Sequence, residues 1–210
     1  MTEPADLVAA SRAAGVRDPR LLEAIAAVPR AQFVPPDLAA HAYDDAPLPI
    51  AHDQVTTQPS LVAQMVQALD LSSSGRVLEI GTGYGWQTAL LARLANEVWS
   101  VERWEDIART ARRHLEHHGV ANATVVVGDG SAGLPEHTPY DAILVAAAFP
   151  QVPSPLVEQL AEGGRLVQPI GVGGADEVVL FEKRLGELER RRHVTHAHFV
   201  RLYGEHAFPQ

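Results

Sequence analysis

A regular alternation of short apolar and amphipathic segments, which begins at residue 76, constrains the fold more than any other feature. Segments typical of buried β-strands occupy residues 76–80, 97–101, 123–127, 142–145 and 164–168. Helical spacing of apolar residues occupies residues 86–95, 105–117 and 155–160. Strands that alternate with helices at this pace form βαβ units. The sequence therefore predicts an α/β fold with a Rossmann-like, mostly parallel sheet and helices on both faces.

Both ends of the chain differ from this pattern. Residues 5–27 predict an N-terminal helical lead of one or two helices, with Asp18 as a cap and Pro19 in the first turn. Residues 29–59 are rich in proline and predict an ordered loop, before helical spacing returns over residues 59–69. Residues 177–183 and 198–202 predict an antiparallel C-terminal pair of strands. We expect one domain over residues 1–210, with helices and loop in 1–75 and the sheet in 76–210.

Composition excludes several classes of protein. The chain of 210 residues has no cysteine, so it has neither disulfides nor a thiolate nucleophile. A formal charge of −9 disfavours nucleic acid as a partner. No run of about 18 apolar residues predicts a membrane span, and the first residues do not resemble a secretory signal, so we expect a cytoplasmic protein without membrane contact. The histidines lack the spacing of known metal motifs, so no metal is predicted.

A glycine-rich turn is the strongest local signal for a ligand. Gly81 and Gly83 directly follow the first predicted strand and directly precede a helix. Glycine permits positive φ and close approach of the backbone, and the helix N-terminus offers free N–H groups. A tight turn between strand and helix needs glycine whatever it binds, so the turn alone does not identify a ligand.

Acidic residues at neighbouring strand ends narrow the choice of ligand. Glu102 lies about 20 residues beyond the glycines, where a carboxylate can accept hydrogen bonds from ribose hydroxyls. Asp129 and Gly130 follow the third strand at the same edge of the sheet. Glu79 precedes the glycines and would repel a pyrophosphate, but suits the cationic sulfonium of S-adenosylmethionine. A methyl donor is therefore favoured over a dinucleotide, although Glu102 as a solvated strand-end acid stays an alternative.

Segments along nearly the whole chain resemble the protein-L-isoaspartate (D-aspartate) O-methyltransferase family, a group of class I methyltransferases. The resemblance runs through residues 27–34, 48–50, 54–59, 77–83, 87–89, 101–103, 128–130 and 140–143. The glycine turn is common to methyltransferases, whereas the Val-Pro-Arg segment at 28–30 and the Gln-Pro pair at 58–59 are more specific. The resemblance implies methyl transfer from S-adenosylmethionine to isoaspartyl carboxylates in damaged proteins, the first step of repair through a succinimide.

The resemblance also implies which residues surround each ligand. Those implied for S-adenosylmethionine are Glu79, Gly81, Thr82, Gly83, Glu102, Asp129 and Gly130. The acceptor is implied to lie among the loop 48–59, the turn 146–148 and the segment 198–202. Within these we expect the substrate-binding residues to be Ile50, His52, Thr56, Thr57, Gln58, Ala147 and Val200.

Thr57 is the predicted catalytic residue. An isoaspartyl carboxylate is ionised at pH 7 and needs no general base, so we expect the Thr57 hydroxyl to hold and orient it. Threonine is also a common helix N-cap, and this second interpretation fits the helix that starts at Pro59. His52, if it does not sense the substrate carboxylate, is expected to be a solvent-exposed loop residue.

The chain departs from the family pattern in four places around the acceptor and the cofactor. Thr57 replaces a usual serine, the turn at 83–86 carries Tyr84 and Trp86, and Arg201 replaces a usual proline, while His52 and Asp53 occupy loop positions where small residues are common. These departures keep two alternatives open: methylation of an ordinary aspartate in a specific partner peptide, and a non-catalytic module that binds S-adenosylmethionine. We expect isoaspartyl-containing proteins as partners and a monomer as the working form.

Overall fold

The apolar segments after residue 75 form one seven-stranded sheet in the computed structural model, which describes residues 3–209. Two short strands precede it. The strands are β1 Leu48–Pro49, β2 Val55–Thr56, β3 Arg76–Ile80, β4 Glu97–Glu102, β5 Ala123–Val127, β6 Tyr140–Val145, β7 Leu160–Ile170, β8 Ala175–Arg184 and β9 Glu187–His198. The order in the large sheet is β5-β4-β3-β6-β7-β8-β9. Strands β3 to β7 pair in parallel, and β8 and β9 add antiparallel, which confirms the predicted sheet.

The strand order reverses direction at β3. The chain moves outward from β3 through β4 to β5, and then returns to the other side of β3 as β6. Such a switch point leaves a crevice beyond the carboxyl ends of the strands, where open α/β sheets bind ligands. Ile80, Glu102 and Val145 end the three strands that border this crevice.

Helices cover both faces of the sheet, as predicted. Within residues 3–209 they are α1 Pro4–Ala13, α2 Pro19–Ala27, α3 Pro59–Leu69, α4 Trp86–Leu94, α5 Glu105–His117 and α6 Ser154–Gln159. Consecutive residues of β3 enter different cores, because side chains of a strand alternate between faces. Val77 packs in the core that contains Met65 and Leu90, whereas Leu78 packs in the core that contains Ile143 and Leu156.

The N-terminal lead consists of two helices. The Asp18 side chain accepts a hydrogen bond from the amide of Arg20 at 2.9 Å, which confirms the predicted cap of α2. The loop that follows is ordered by two short 3-10 helices, Arg30–Phe33 and Pro36–His41, and by the hairpin of β1 and β2. No helix in the described part of the chain is long and apolar enough to cross a membrane.

The last strand was predicted in the wrong place. The antiparallel partner of β8 was expected at residues 198–202. In the structure β8 pairs with Glu187–His198, which directly follows the turn at Leu185 and Gly186. This strand lies at the edge of the sheet, where charged residues such as Arg190 to Arg192 remain in solvent. It therefore lacks the apolar pattern by which a strand is recognised in a sequence. Residues 198–202 instead run beside the crevice and contact Ala148 through a single β-bridge at Arg201.

Candidate active site

A glycine turn joins β3 to α4 at the switch point. Gly81 has a φ of 96° and Gly83 a φ of 55°, which glycine adopts without the clash of a Cβ. The Gly81 amide donates to the carbonyl of Val101 at 2.9 Å and ties the turn to the end of β4. The Thr82 hydroxyl is buried, 2.5 Å from that of Ser100. The turn is thereby fixed, and a ligand can approach its backbone closely.

Glu102 lies beside this turn at the end of β4. Its Oε2 accepts a hydrogen bond from the Gly83 amide at 3.0 Å, and its Oε1 accepts one from the Trp104 amide at 3.1 Å. Burial raises the pKa of Glu102, and these amides oppose the rise. An ionised carboxylate accepts about four hydrogen bonds. Glu102 therefore keeps acceptor capacity for the hydroxyls of a ligand in the crevice.

Glu79 lies beneath the glycine turn. Its carboxylate is fully buried and accepts hydrogen bonds from Gln87 at 2.8 Å and from the hydroxyls of Thr88 and Ser100, both at 2.5 Å. Desolvation raises the pKa of Glu79 to about 7, although the three donors oppose it. Groups of the protein itself thus hold the carboxylate, and its place in the cofactor site stays a prediction, in which its charge acts on the crevice from beneath the turn.

The carboxylate of Asp129 also accepts hydrogen bonds from the protein's own backbone. Its Oδ1 accepts a hydrogen bond from the Ser131 amide at 2.9 Å, and its Oδ2 accepts one from the Glu205 amide at 2.7 Å. Burial acts to raise the pKa of Asp129, but the Glu205 amide and the Ser131 donors outweigh it and lower the pKa. Asp129 thus holds the C-terminal segment in place, and its neighbour Gly130 faces the crevice.

These elements enclose a cleft of about 1010 Å³, including the space open to solvent. The hairpin of β1 and β2 forms one wall, the glycine turn and the end of β4 form another, and residues 200–203 form a third. The sequence-predicted residues that line it are Ile50, Thr56, Thr57, Gly81, Thr82, Gly83, Glu102, Gly130, Ala147 and Val200. Among the other predicted residues, His52, Gln58, Glu79 and Asp129 lie outside its lining.

The hairpin wall depends on Arg30, a fully buried residue. Its guanidinium donates to the carbonyls of Ala42 at 3.0 Å, Asp44 at 3.2 Å and Ala46 at 3.1 Å. It also donates to the Thr56 hydroxyl at 2.8 Å and to the Thr57 carbonyl at 3.3 Å. Desolvation lowers the pKa of Arg30 to about 10, while Asp45 and Asp44 oppose the shift. One side chain therefore fixes the backbone on both sides of the hairpin.

A second groove opens next to the cleft, between α3 and β9. Thr195, His196 and His198 line one side, and Gln58 and Leu61 line the other. Four residues line both cavities: Val55, Thr57, Ala146 and Val200. The two spaces therefore meet beside Thr57.

Thr57 does not cap the helix α3. The N-cap residue is Gln58, whose side chain makes no capping bond, and the Ser60 amide donates instead to Oδ1 of Asp45 at 2.8 Å. Gln58 donates to the other oxygen of Asp45 at 3.0 Å. The N-cap interpretation of Thr57 is wrong, because α3 begins at Pro59 as predicted and its N-cap position is occupied by Gln58.

Comparison with known proteins places this arrangement in a family. The model of the protein-L-isoaspartate(D-aspartate) O-methyltransferase family matches residues 2–207. The protein-L-isoaspartate O-methyltransferase of Methanoculleus marisnigri is 51% identical over 178 residues, which cover 85% of this chain and 81% of that protein. The chain belongs to the protein-L-isoaspartate(D-aspartate) O-methyltransferase family. The resemblance noted in the sequence is thereby confirmed.

Solved structures agree with this membership. A protein-L-isoaspartate O-methyltransferase superposes with a TM-score of 0.86 at 30% identity, over 97% of this chain and 67% of that chain. A Plasmodium falciparum protein solved in complex with S-adenosyl-L-homocysteine has a TM-score of 0.81 at 21% identity, over 97% of this chain and 99% of that one, and supports the fold. The chain is a protein carboxyl methyltransferase that uses S-adenosylmethionine.

The lining of the cleft fits the methyl donor of this family. Glu102 offers acceptors at the strand end, and the glycine turn leaves its backbone open to the cleft. A Cβ added at Gly83 would lie 3.9 Å from Cδ1 of Ile50, so a narrow passage separates the turn from the hairpin. The charge of Glu79 behind the turn is of the sign that favours a sulfonium.

His52 lies away from both cavities. Its Nε2 is 2.9 Å and 3.0 Å from the two carboxylate oxygens of Asp106, and its ring stacks on Trp104. His52 is thus outside the lining of both cavities, and its contact with the acceptor stays a prediction. Its ring is 35% exposed, which agrees in part with the alternative of a solvent-facing residue.

Sequence reasoning missed several residues that shape the cleft. Arg30 was noted only as part of a family segment, since the carbonyls that it binds become its neighbours only in the folded loop. Arg103 and Tyr203 line the cleft, with the Arg103 guanidinium 5.1 Å from the centre of the Tyr203 ring. Tyr203 gave no signal, because its position depends on the tether between Asp129 and Glu205, which lie far apart in sequence.

Proposed function

We propose that this chain transfers a methyl group from S-adenosylmethionine to the α-carboxylate of L-isoaspartyl residues in proteins, with Thr57 at the reaction centre. The observation that carries the proposal is the junction of the cleft and the second groove at Thr57, Ala146 and Val200. A donor in the cleft and a peptide in the groove would meet at this junction. The product is a methyl ester, which can cyclise to a succinimide without the enzyme.

The reaction requires little acid–base chemistry from the chain. The bound donor supplies a methyl group on a sulfonium, which a carboxylate oxygen can accept as an ester while the bonding electron pair stays on sulfur. The isoaspartyl carboxylate is already ionised at pH 7, so no group has to remove a proton. The chain contributes orientation and partial desolvation, and orientation alone supplies up to roughly 7–11 kcal/mol in favourable cases.

Thr57 suits this role better than its neighbour Thr56. The Thr56 hydroxyl is held by Arg30 at 2.8 Å, whereas Thr57 is held through its carbonyl and lines both cavities. A single hydroxyl orients a carboxylate without neutralising it. A guanidinium at this point would stabilise the ground state strongly and weaken the nucleophile.

Main-chain groups complete the acceptor site in this proposal. The Ala148 amide donates to the Val200 carbonyl at 2.8 Å, and the Leu202 amide donates to the Ala148 carbonyl at 2.8 Å. This short ladder fixes the backbone of Ala147 and Val200 beside the junction. We assign these two residues to the acceptor peptide, together with Ile50, Thr56 and Gln58, which lie along the hairpin and the groove.

Substitution of Thr57 tests the proposal. Thr57→Val removes the hydroxyl at nearly constant volume, and Thr57→Ser keeps the hydroxyl and removes the methyl group. For a short isoaspartyl peptide we expect Thr57→Val to lower kcat/KM by about 10- to 100-fold, and Thr57→Ser to stay within about threefold. Calorimetric Kd for S-adenosylmethionine should change less than about twofold in both, because the hydroxyl acts on the acceptor.

Thr195→Val is the matched control, since Thr195 lines the same groove away from the junction. It should leave kcat/KM nearly unchanged. Full activity of Thr57→Val would remove Thr57 from the reaction centre.

We further propose that one chain acts alone as a single domain, with protein substrates and without nucleic acid. In support of the single domain, α2, α3 and α4 share a core with β3. Sedimentation of the active enzyme at assay concentration tests this, with a monomer expected.

A further inference from the structure

The tip of the β1–β2 hairpin has an unusual backbone. His52 has a φ of 59° and Asp53 a φ of 54°, both in the left-handed region that residues other than glycine rarely adopt. Such a conformation persists only where contacts elsewhere compensate for it. At His52 these contacts are visible.

The His52 ring lies flat against Trp104, with ring centres 4.0 Å apart and an interplanar angle of 3°. Nε2 of the same ring lies between the two carboxylate oxygens of Asp106, at 2.9 Å and 3.0 Å. The His52 hydrogen bond holds the pKa of Asp106 below its usual range. Both partners belong to the start of α5, on the opposite side of the cleft from the rest of the hairpin.

Trp104 connects the His52 ring to the donor side of the cleft. The Trp104 amide donates to Oε1 of Glu102 at 3.1 Å, so the residue under the His52 ring is bonded directly to the strand-end carboxylate. Ile50 faces the glycine turn, and its amide donates to the Gln54 carbonyl at 2.8 Å, which closes the tip of the hairpin. A movement of the tip would therefore carry Ile50 away from the turn.

We propose that His52, Trp104 and Asp106 form a latch that holds the β1–β2 hairpin over the donor side of the cleft. His52 and Asp106 are then positioning residues that set the affinity for S-adenosylmethionine and the rate at which S-adenosylhomocysteine leaves. The inference rests on the proposed function of the cleft as the donor site. It is tested separately from the role of Thr57, because the donor is followed in the absence of a peptide.

Three variants test the latch. His52→Gly removes the ring and relieves the left-handed backbone, so the fold is retained. Asp106→Asn removes the charge and keeps the shape. Asp53→Gly is the matched control, because it relieves the same backbone conformation at the adjacent residue, which has no part in the latch.

The primary measurement is the rate of S-adenosylhomocysteine release in stopped flow, with excess S-adenosylmethionine as the chase and without any peptide. His52→Gly should speed release by about tenfold, the combined effect of a stacked ring and an exposed ion pair. Asp106→Asn should speed it by about two- to fivefold, and Asp53→Gly should leave it unchanged. In steady state, KM for S-adenosylmethionine should rise in the same order of variants.

Two results would overturn the latch. One is release at the wild-type rate in both His52→Gly and Asp106→Asn. The other is a change in KM for the peptide with the donor parameters constant, which would return His52 to the acceptor site. Failure of the proposed function has a different signature, since it would appear as the absence of methyl transfer in the wild-type enzyme.

Discussion

The Ser100 hydroxyl donates a hydrogen bond to the Glu79 carboxylate at 2.5 Å, from the position directly opposite on the neighbouring parallel strand. The Thr82 hydroxyl lies 2.5 Å from that of Ser100, so a short chain of hydroxyls links the glycine turn to the buried acid. This link explains how a carboxylate is tolerated at a fully buried position. Burial raises the pKa of Glu79 to about 7 against the effect of these hydroxyls, so its charge state changes with pH near neutrality.

Stability should fall with rising pH because of Glu79. Its pKa is about 7 in the folded chain against an ordinary value of 4.5, so the folded state binds more protons between these values. Unfolding free energy then decreases as pH rises from 4.5 to about 7, by about 3 kcal/mol for this group. Glu79→Gln lacks this loss because an amide does not ionise. Its NH2 group can donate to the Thr88 and Ser100 hydroxyls, which donate to the carboxylate in the native protein. Urea denaturation of both proteins from pH 5 to pH 8 should give diverging curves, and parallel curves would contradict the assignment.

The charge of Glu79 should also discriminate between the methyl donor and its product. At pH 8 the ionised carboxylate attracts the sulfonium of S-adenosylmethionine, and S-adenosylhomocysteine lacks that charge. Glu79→Gln should therefore raise Kd for S-adenosylmethionine on the order of tenfold and raise Kd for S-adenosylhomocysteine less. Calorimetry with both compounds measures this difference. Equal effects on the two would show that Glu79 acts through structure alone.

Arg30→Lys should destabilise the protein and loosen the hairpin. An ammonium has three donors on one atom and cannot reach the carbonyls and the Thr56 hydroxyl that the guanidinium spans. We expect a loss of about 2–4 kcal/mol in unfolding free energy, from buried carbonyls left without donors. Urea denaturation and kcat/KM for an isoaspartyl peptide measure the two effects. Arg109→Lys, on the exposed side of α5, is the control and should be neutral.

Gly204→Ala should displace the C-terminal wall of the cleft. A Cβ at this position would overlap Oδ1 of Asp129 and the Ser131 hydroxyl, which hold the segment. Because Leu202 and Tyr203 line the cleft just before it, Kd for S-adenosylmethionine should rise by several-fold, about 1 kcal/mol. The control is Glu205→Ala, which keeps the amide that donates to Asp129. Equal donor affinity in Gly204→Ala and wild type would remove this segment from the donor site.

The sequence was most informative where local pattern determines structure. The βαβ alternation, the glycine turn and the position of Glu102 could be predicted from periodicity and spacing. The strand order and its switch point then bring the turn and Glu102 to one edge of the sheet. The β9 strand was misplaced because Arg190 to Arg192 conceal an exposed edge strand. Its residues carry too little apolar alternation to be recognised.

The side-chain partners of the acidic residues could not be predicted. Glu79 and Asp129 were both expected to face a ligand, but Ser100 and Glu205 engage them across 21 and 76 residues of sequence. The role of His52 depends on Asp106, which is 54 residues away. Such contacts follow from tertiary packing and leave no trace in local composition.

The acceptor can be tested with two short peptides that differ only in one residue, isoaspartate in one and aspartate in the other. Each is incubated with the enzyme and S-adenosylmethionine, and ester formation is followed by mass spectrometry. We expect methylation of the isoaspartyl peptide alone. Methylation of the aspartyl peptide, or of neither while calorimetry shows that the donor is bound, would contradict this expectation.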